Sequence, residues 1–276
     1  VGAIVEISNN ARYVISQLNK NGYQAFIVGG CVRDHLMGRE ATDYDITTSA
    51  LPEQVKQVFS CHPVIETGIK HGTVPFLLGG EPFEITTYRT ELGYSDLRHP
   101  DAVVFLSNIN GDLSRRDFTM NAVAYNDTDG FIDLFGGIED IKNKTIRAVG
   151  EPSVRFSEDA LRILRALRFS ATLGFEIEQN TAKSVLLLAE SVNRVSPERI
   201  YSELKKLLCG INAADVVFKY REALNKILNI EIDIDIDKFK ALPNDFAMRL
   251  TYLCGKNVSQ TLNFLRADNR TKQLCD

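Results

Sequence analysis

Five cysteines are scattered through 276 residues and never fall in a Cys-x-x-Cys pair, so neither a disulfide framework nor a cysteine-built zinc site has a basis. The four histidines show no metal-ligand spacing and no His-Asp doublet, which removes metalloprotease and His-Asp phosphohydrolase readings. No apolar run reaches the roughly 18 residues that cross a bilayer, so no membrane role is expected. The opening residues lack a basic-then-apolar leader pattern. Together with the unpaired thiols, this predicts a reducing, cytoplasmic location. Internal repeats and low-complexity tracts are also missing. What is present is ordinary: 44% hydrophobic and 25% charged residues, enough for one large or two packed globular domains.

The net charge of −4 argues against a nucleic-acid binder until it is divided along the chain. Residues 1–180 carry a balance of −7 and residues 181–276 a balance of +3. The front is acidic and the back mildly basic.

Apolar spacing predicts a helix over residues 7–21, a strand over 25–28 and a helix over 32–37. A second strand is expected around Tyr44 and Ile46, a helix over 51–59, and a hairpin from residues 73–78 and 82–89 around Gly79-Gly80. Beyond residue 150 strand signals fade. Helical stripes are expected over 157–173, 180–190, 197–208 and 213–228. The fold class is therefore α+β, with a small mixed sheet and its helices followed by an all-helical back.

Four clusters carry chemistry. Gly29-Gly30-Cys31-Val32-Arg33-Asp34 follows a strand and opens a helix, where glycine backbone and Arg33 suit a phosphate. Read alone, it also fits a tight strand-to-helix turn. Asp43-Tyr44-Asp45 on a strand places two carboxylates on one face, where their repulsion calls for a cation. Glu84, on a later strand, is the candidate third carboxylate. Arg115-Arg116-Asp117 suits a triphosphate tail, with Asp117 or Thr119 as an alternative helix cap.

Residues 158–168 form the sharpest cluster. On one helix, Asp159, Arg162 and Arg165 lie within about 120° of each other, while Ala160, Ile163, Leu164 and Leu167 face the core. Arg168 extends an arginine excess with no balancing acid in the stripe, which suggests an anionic or base-shaped ligand. A carboxylate beside a guanidinium matches the amino donor and ring-nitrogen acceptor shared by cytosine and adenine, and rejects guanine and uracil. Asp233, Asp235 and Asp237 lack such a setting and read as a solvated loop.

Taken in order, residues 28–34, 43–45, 84–98, 115–122 and 158–168, with Ser196–Glu203 behind them, resemble the class II CCA-adding enzymes (tRNA nucleotidyltransferases) and poly(A) polymerases of the DNA polymerase β superfamily. The likeness covers residues 4–208 and extends toward 228. It implies a nucleotidyltransferase head over residues 1–150, a nucleotide-reading neck over 151–212 and the start of a helical body over 213–276, incomplete against the family's usual length. By the same resemblance Asp43 and Asp45 bind two Mg²⁺ ions, and Gly30, Arg33 and Arg116 hold the triphosphate. Asp159 and Arg162 pair with the incoming base, and Arg165 and Arg168 support them. The implied reaction adds C, C and A from CTP and ATP to the 3′ end of tRNA. Addition of A alone, or of poly(A), stays open, and an inactive RNA-binding module is a further alternative that intact Asp43 and Asp45 disfavour. The charge split places RNA backbone contacts beyond residue 180, and residues 91–100 are the expected mobile lever between C and A addition.

Overall fold

The computed structural model describes residues 7–41, 43–62, 72–92 and 102–275. They fall into two compact units that divide between Asn143 and Lys144. The expected lever lies almost wholly outside the described residues.

The first unit begins with α1 (Asn9–Lys20), capped by the Ser8 side chain, which accepts from the Ala11 N–H. Ala11, Val14, Ile15 and Leu18 form its buried stripe. There follow β1 (Ala25–Val28), α2 (Gly30–Leu36), β2 (Asp45–Thr48), α3 (Pro52–Val58), β3 (Thr73–Leu78), β4 (Glu81–Thr87), β5 (Arg89–Leu92), β6 (Ala102–Phe105), α4 (Ile109–Ser114), β7 (Val123–Asn126), β8 (Gly130–Asp133) and α5 (Gly137–Lys142). Six strands make one sheet in the order β3-β4-β2-β1-β7-β8, while β5 and β6 pair separately. Only β2 and β4 run parallel; the other neighbours in the sheet are antiparallel.

Alternation along these strands sends side chains to two different cores. Ile27, Ile46, Val74, Phe76, Phe83 and Ile85 pack with α1 and α3 on one face. Phe26, Val28, Tyr88 and Ala124 pack with Ile109 and Leu113 of α4 on the other. Because Ile46 points to the first face, Asp45 and Thr47 point to the second. That parity decides where the acids go.

The second unit opens on β9 (Thr145–Ile146) and is otherwise almost entirely helical. Its elements are α6 (Pro152–Glu158), α7 (Leu161–Leu173), β10 (Glu176–Ile177), α8 (Gln179–Leu188), α9 (Pro197–Leu208), α10 (Ala213–Lys219), α11 (Arg221–Leu228), α12 (Ile236–Ala241), α13 (Phe246–Cys254), α14 (Val258–Phe264) and α15 (Asn269–Cys275). The expectation of a purely helical back needs one correction, since β10 pairs in parallel with β9. Two long helices also resolve into pairs. The chain leaves helical geometry at Asp159, and again at Tyr220 between α10 and α11. Buried Phe156, Ala160, Ile163 and Leu167 keep helical spacing straight through the first break, so hydrophobic period alone does not reveal it. Of the triple-aspartate stretch, Asp233 and Asp235 are exposed outside any helix or strand, as a solvated loop would be, and only Asp237 is helical. Asp235 caps α12 by accepting from the N–H groups of Asp237 and Lys238, and Ile232 and Ile234 beside it are buried.

The tightest backbone approach in the first unit is at Gly137, where a Cβ would stand 2.2 Å from the Thr119 carbonyl oxygen and 2.7 Å from Val123 Cγ2. Neither neighbour is the free end of a flexible chain. Gly137→Ala should therefore destabilise the protein by about 1–3 kcal/mol, as overpacking does, read as a lowered urea midpoint at unchanged slope. An unchanged midpoint would mean that α5 shifts at no cost.

Candidate active site

Asp45 opens β2, and Tyr44 before it turns into the α1/α3 core, its hydroxyl accepting from the Ser8 N–H at 3.2 Å. Asp43 and Asp45 are left exposed. Strand geometry starts only at Asp45, yet the alternation expected for Asp43-Tyr44-Asp45 holds. The parallel register sets Glu84 directly opposite Asp45, so the two side chains share a face. Among the described residues no ion pair engages these three carboxylates, and no three His, Cys, Asp or Glu side chains gather into a closed metal cage.

Protein packed around Asp45 pushes its pKa above the usual aspartate value; Arg116 pulls it back and the Asp43 carboxylate pushes it further up. Nearby Cys31 is no competing nucleophile, because burial and the charge of Asp45 raise its thiol to about 11.

Gly29 joins these groups. Its φ of +84° suits a residue without a side chain, and a Cβ there would meet Arg116 Nη1 at 3.2 Å and Asp45 Oδ2 at 3.6 Å. The register explains the proximity: Ile27 pairs with Ile46, which sets Val28 and then Gly29 alongside Asp45. Gly30, the glycine expected to matter, is the first residue of α2 and meets only Arg33 Nη2, at 3.6 Å.

The arginines are held by acids, of which sequence reasoning missed Asp112 and gave Asp34 and Asp117 no such role. Asp112 on α4 is fully buried and accepts from Arg115 Nε at 3.0 Å, Arg115 Nη2 at 2.8 Å, Arg116 Nη2 at 3.2 Å and Thr47 Oγ1 at 3.1 Å. Burial pushes its pKa up, but Arg115 and Arg116 together outweigh burial and hold it below the usual value. Arg33 donates to Asp34 through Nε and Nη2, at 3.0 and 2.8 Å, and to Asn121 Oδ1 at 2.8 Å. Asn121 is itself held by Asp117 Oδ1 at 3.0 Å, so Asp117 organises this turn. A buried aspartate three or four residues before paired arginines was the available signal.

In the second unit the expected single face is built from three helices. Asp159 sits in extended backbone (φ −137°, ψ 102°) between α6 and α7. Its Oδ1 accepts from Leu161 N–H at 3.1 Å and its Oδ2 from Arg199 Nη2 at 2.8 Å. Arg162, on α7 and 8% exposed, donates through Nη1 to Glu158 Oε2 at 2.8 Å and to the Arg155 carbonyl at 3.1 Å. The arginine excess is balanced after all. Glu203 of α9, 6% exposed, lies 3.9 Å from Arg165 and accepts from Arg168 Nε at 2.5 Å. The Arg168 guanidinium also lies over the Phe169 ring at 3.6 Å. The missing acid comes from another helix, which is why the stripe alone does not show it.

Glu203→Ala removes the buried carboxylate that faces Arg165 and Arg168. The expected cost is about 3 kcal/mol in urea unfolding, the low end for a broken buried pair because Arg165 keeps some water. Glu203→Gln should lose less, since it still accepts a hydrogen bond.

Comparison with known proteins gives a consistent picture. The family described as "Poly A polymerase head domain" matches residues 25–147, and "Probable RNA and SrmB- binding site of polymerase A" matches residues 174–223. A CCA-adding enzyme of Lactobacillus helveticus is 44% identical over 239 residues, covering 87% of this chain and 58% of that protein. The Enterococcus faecalis CCA-adding enzyme is 48% identical over 199 residues, 72% of this chain and 48% of that protein. The chain thus spans about half the length of the curated relatives it matches. Among solved structures, the Bacillus stearothermophilus CCA-adding enzyme in complex with CTP aligns with a TM-score of 0.83 and 36% identity over 96% of this chain and 67% of that one. Sequence and fold agree that this chain belongs to the family of CCA-adding enzymes and poly(A) polymerases.

Proposed function

We propose that the protein is a template-independent tRNA nucleotidyltransferase that adds C, C and A, from CTP and ATP, to the 3′ end of tRNA. The observation that carries this is the pair of unpaired carboxylates, Asp43 and Asp45, on the strand face where Arg116 stands beside Gly29. Residues 1–150 serve as the catalytic head, 151–212 as the nucleotide-reading neck and 213–276 as the start of the body. Tethered RNA would be gripped beyond residue 180, where the balance is +3. No helix of the described residues is long and apolar enough to cross a membrane. With all five cysteines free, a cytoplasmic location fits.

The carboxylates suit Mg²⁺ on their chemistry. Two hard oxygen donors repel each other without a cation, and an open set lets substrate phosphates and water complete the coordination. Asp43 and Asp45 would hold two such ions, with Glu84 in register as third carboxylate. Bound there, Mg²⁺ supplies activation of the RNA 3′-hydroxyl and neutralises charge on the transferring phosphoryl group. Arg116, oriented by Asp112, and Arg33 of α2 hold the triphosphate, with the Gly30 backbone at the start of that helix. In the second unit Asp159 accepts from the base amino group and Arg162 donates to the ring nitrogen, while Arg165 and Arg168 support them.

Substrates ending before the first C, before the second C and before the A, each offered single nucleotides, test this reading. Incorporation of C, C and then A supports it. Incorporation of A alone means an A-adding enzyme, and none at all means an RNA-binding module.

Asp45→Asn separates chemistry from folding. The folded pKa of Asp45 lies above its unfolded value, so the folded protein holds that proton more tightly. Ionised Asp45 therefore weakens the fold at neutral pH, and the penalty vanishes as pH falls below both values. Asp45→Asn should abolish transfer while raising the Mg²⁺-free melting temperature at pH 7, a gain that disappears on acidification. Near-normal transfer would defeat the assignment.

Asp159→Ala should slow use of CTP and ATP and relax rejection of UTP and GTP, because the carboxylate both accepts from an amino group and repels a carbonyl. Competition between the four nucleotides measures it, and an unchanged preference places the base reader elsewhere.

A further inference from the structure

We propose that Arg199 is a specificity-determining positioning residue, which sets the orientation of the Asp159 carboxylate from α9 and thereby sharpens the choice of CTP and ATP over UTP and GTP. The inference rests on the base-reading role proposed for Asp159 and Arg162.

The starting point is the break between α6 and α7. Asp159 lies in extended backbone there, so no helical packing on its own element fixes its side chain. Two donors do so instead. Leu161 N–H takes Oδ1 and Arg199 Nη2 takes Oδ2, at 3.1 and 2.8 Å. One donor alone leaves the carboxylate free to swing about that contact; two donors on different oxygens fix its plane. One acceptor lobe on each oxygen then stays available for a base.

Arg199 is committed to this task. Asp159 is its only hydrogen-bond partner among the described residues, and its Nη1 is buried with none. Burying a guanidinium donor unpaired is unfavourable, so simple helix packing is a poor account of an arginine here. Arg199 also lies one helical turn before Glu203, so α9 offers one cation and one anion toward the reading cluster. Each meets its opposite: Arg199 with Asp159, Glu203 with Arg165 and Arg168.

Arg162 is held differently, by Glu158 and the Arg155 carbonyl of α6. The two reading side chains therefore have independent supports. Loss of Arg199 leaves Arg162 in place and releases only the carboxylate that tells an amino group from a carbonyl. The effect belongs to discrimination rather than to chemistry, since the proposed metal-binding acids are in the other unit.

The test compares wild type, Arg199→Ala, Arg199→Lys and Asp159→Ala in the intact protein, with single-nucleotide addition measured for each of the four nucleotides. For Arg199→Ala the ratio of kcat/KM for CTP over UTP, and for ATP over GTP, should fall at least tenfold. The loss should come mainly through higher KM for CTP and ATP, with kcat within about threefold of wild type. Arg199→Lys should recover part of the ratio, because an ammonium still reaches one carboxylate oxygen. A parallel fall for all four nucleotides, or an unchanged ratio, overturns the proposal. If Arg199→Ala does not fold, Arg199→Lys decides alone: a ratio equal to wild type refutes it, and an intermediate ratio supports it. Asp159→Ala keeps the two ideas apart. If its ratio is also unchanged, base reading by Asp159 has failed; if only its ratio falls, the failure belongs to Arg199.

Discussion

A carboxylate with no solvent access tolerates its charge only when cations and donors surround it, and Asp112 imposes that condition on the first unit. Its two oxygens collect Arg115, Arg116 and Thr47, which come from the end of α4 and from β2. Meeting the demand fixes α4 against the strand that carries Asp45. It also spends one end of Arg116 on Asp112 and leaves Nη1 beside Gly29 and Asp45. The outward-facing acids and the arginine next to them are thus arranged by an inward-facing acid that has no solvent access.

The second unit solves the same problem around Asp159, Arg165 and Arg168 with a helix from further along the chain. Asp159, Arg165 and Arg168 are charges partly withdrawn from water, and α9 supplies the opposite charge for each through Arg199 and Glu203. Arg162 is satisfied more locally, within the Arg155–Glu158–Arg162 chain of ion pairs. Local pairing holds Arg162 and long-range pairing holds Asp159. Charges balanced this way are held in fixed orientations by charge-assisted hydrogen bonds.

In both units the groups read as substrate-binding double as structural groups. Arg33 joins α2 to the turn at Asn121, and Arg168 stacks on Phe169 while paired to Glu203. Side chains held by two or three fixed partners are pre-organised and have little freedom left to lose on binding a ligand.

Much of this was legible along the chain, because it depends on neighbours in sequence. Strand period placed Asp43 and Asp45 together with Tyr44 opposite, helical period placed the core stripes of α1 and α9, and the ordered blocks led to the right family. Three things were decided only in three dimensions. The register of β2 with β1 and β4 brings Gly29 and Glu84 to Asp45 across gaps of 16 and 39 residues. The break at Asp159 escapes any periodic reading, since Phe156, Ala160 and Ile163 keep their spacing across it. And Glu203, 35 residues after Arg168, balances an arginine stripe that looks unbalanced by itself. Hydrophobic period is a local property of backbone geometry and can be read from the chain, whereas charge balance is settled by whichever opposite charge the packing brings close.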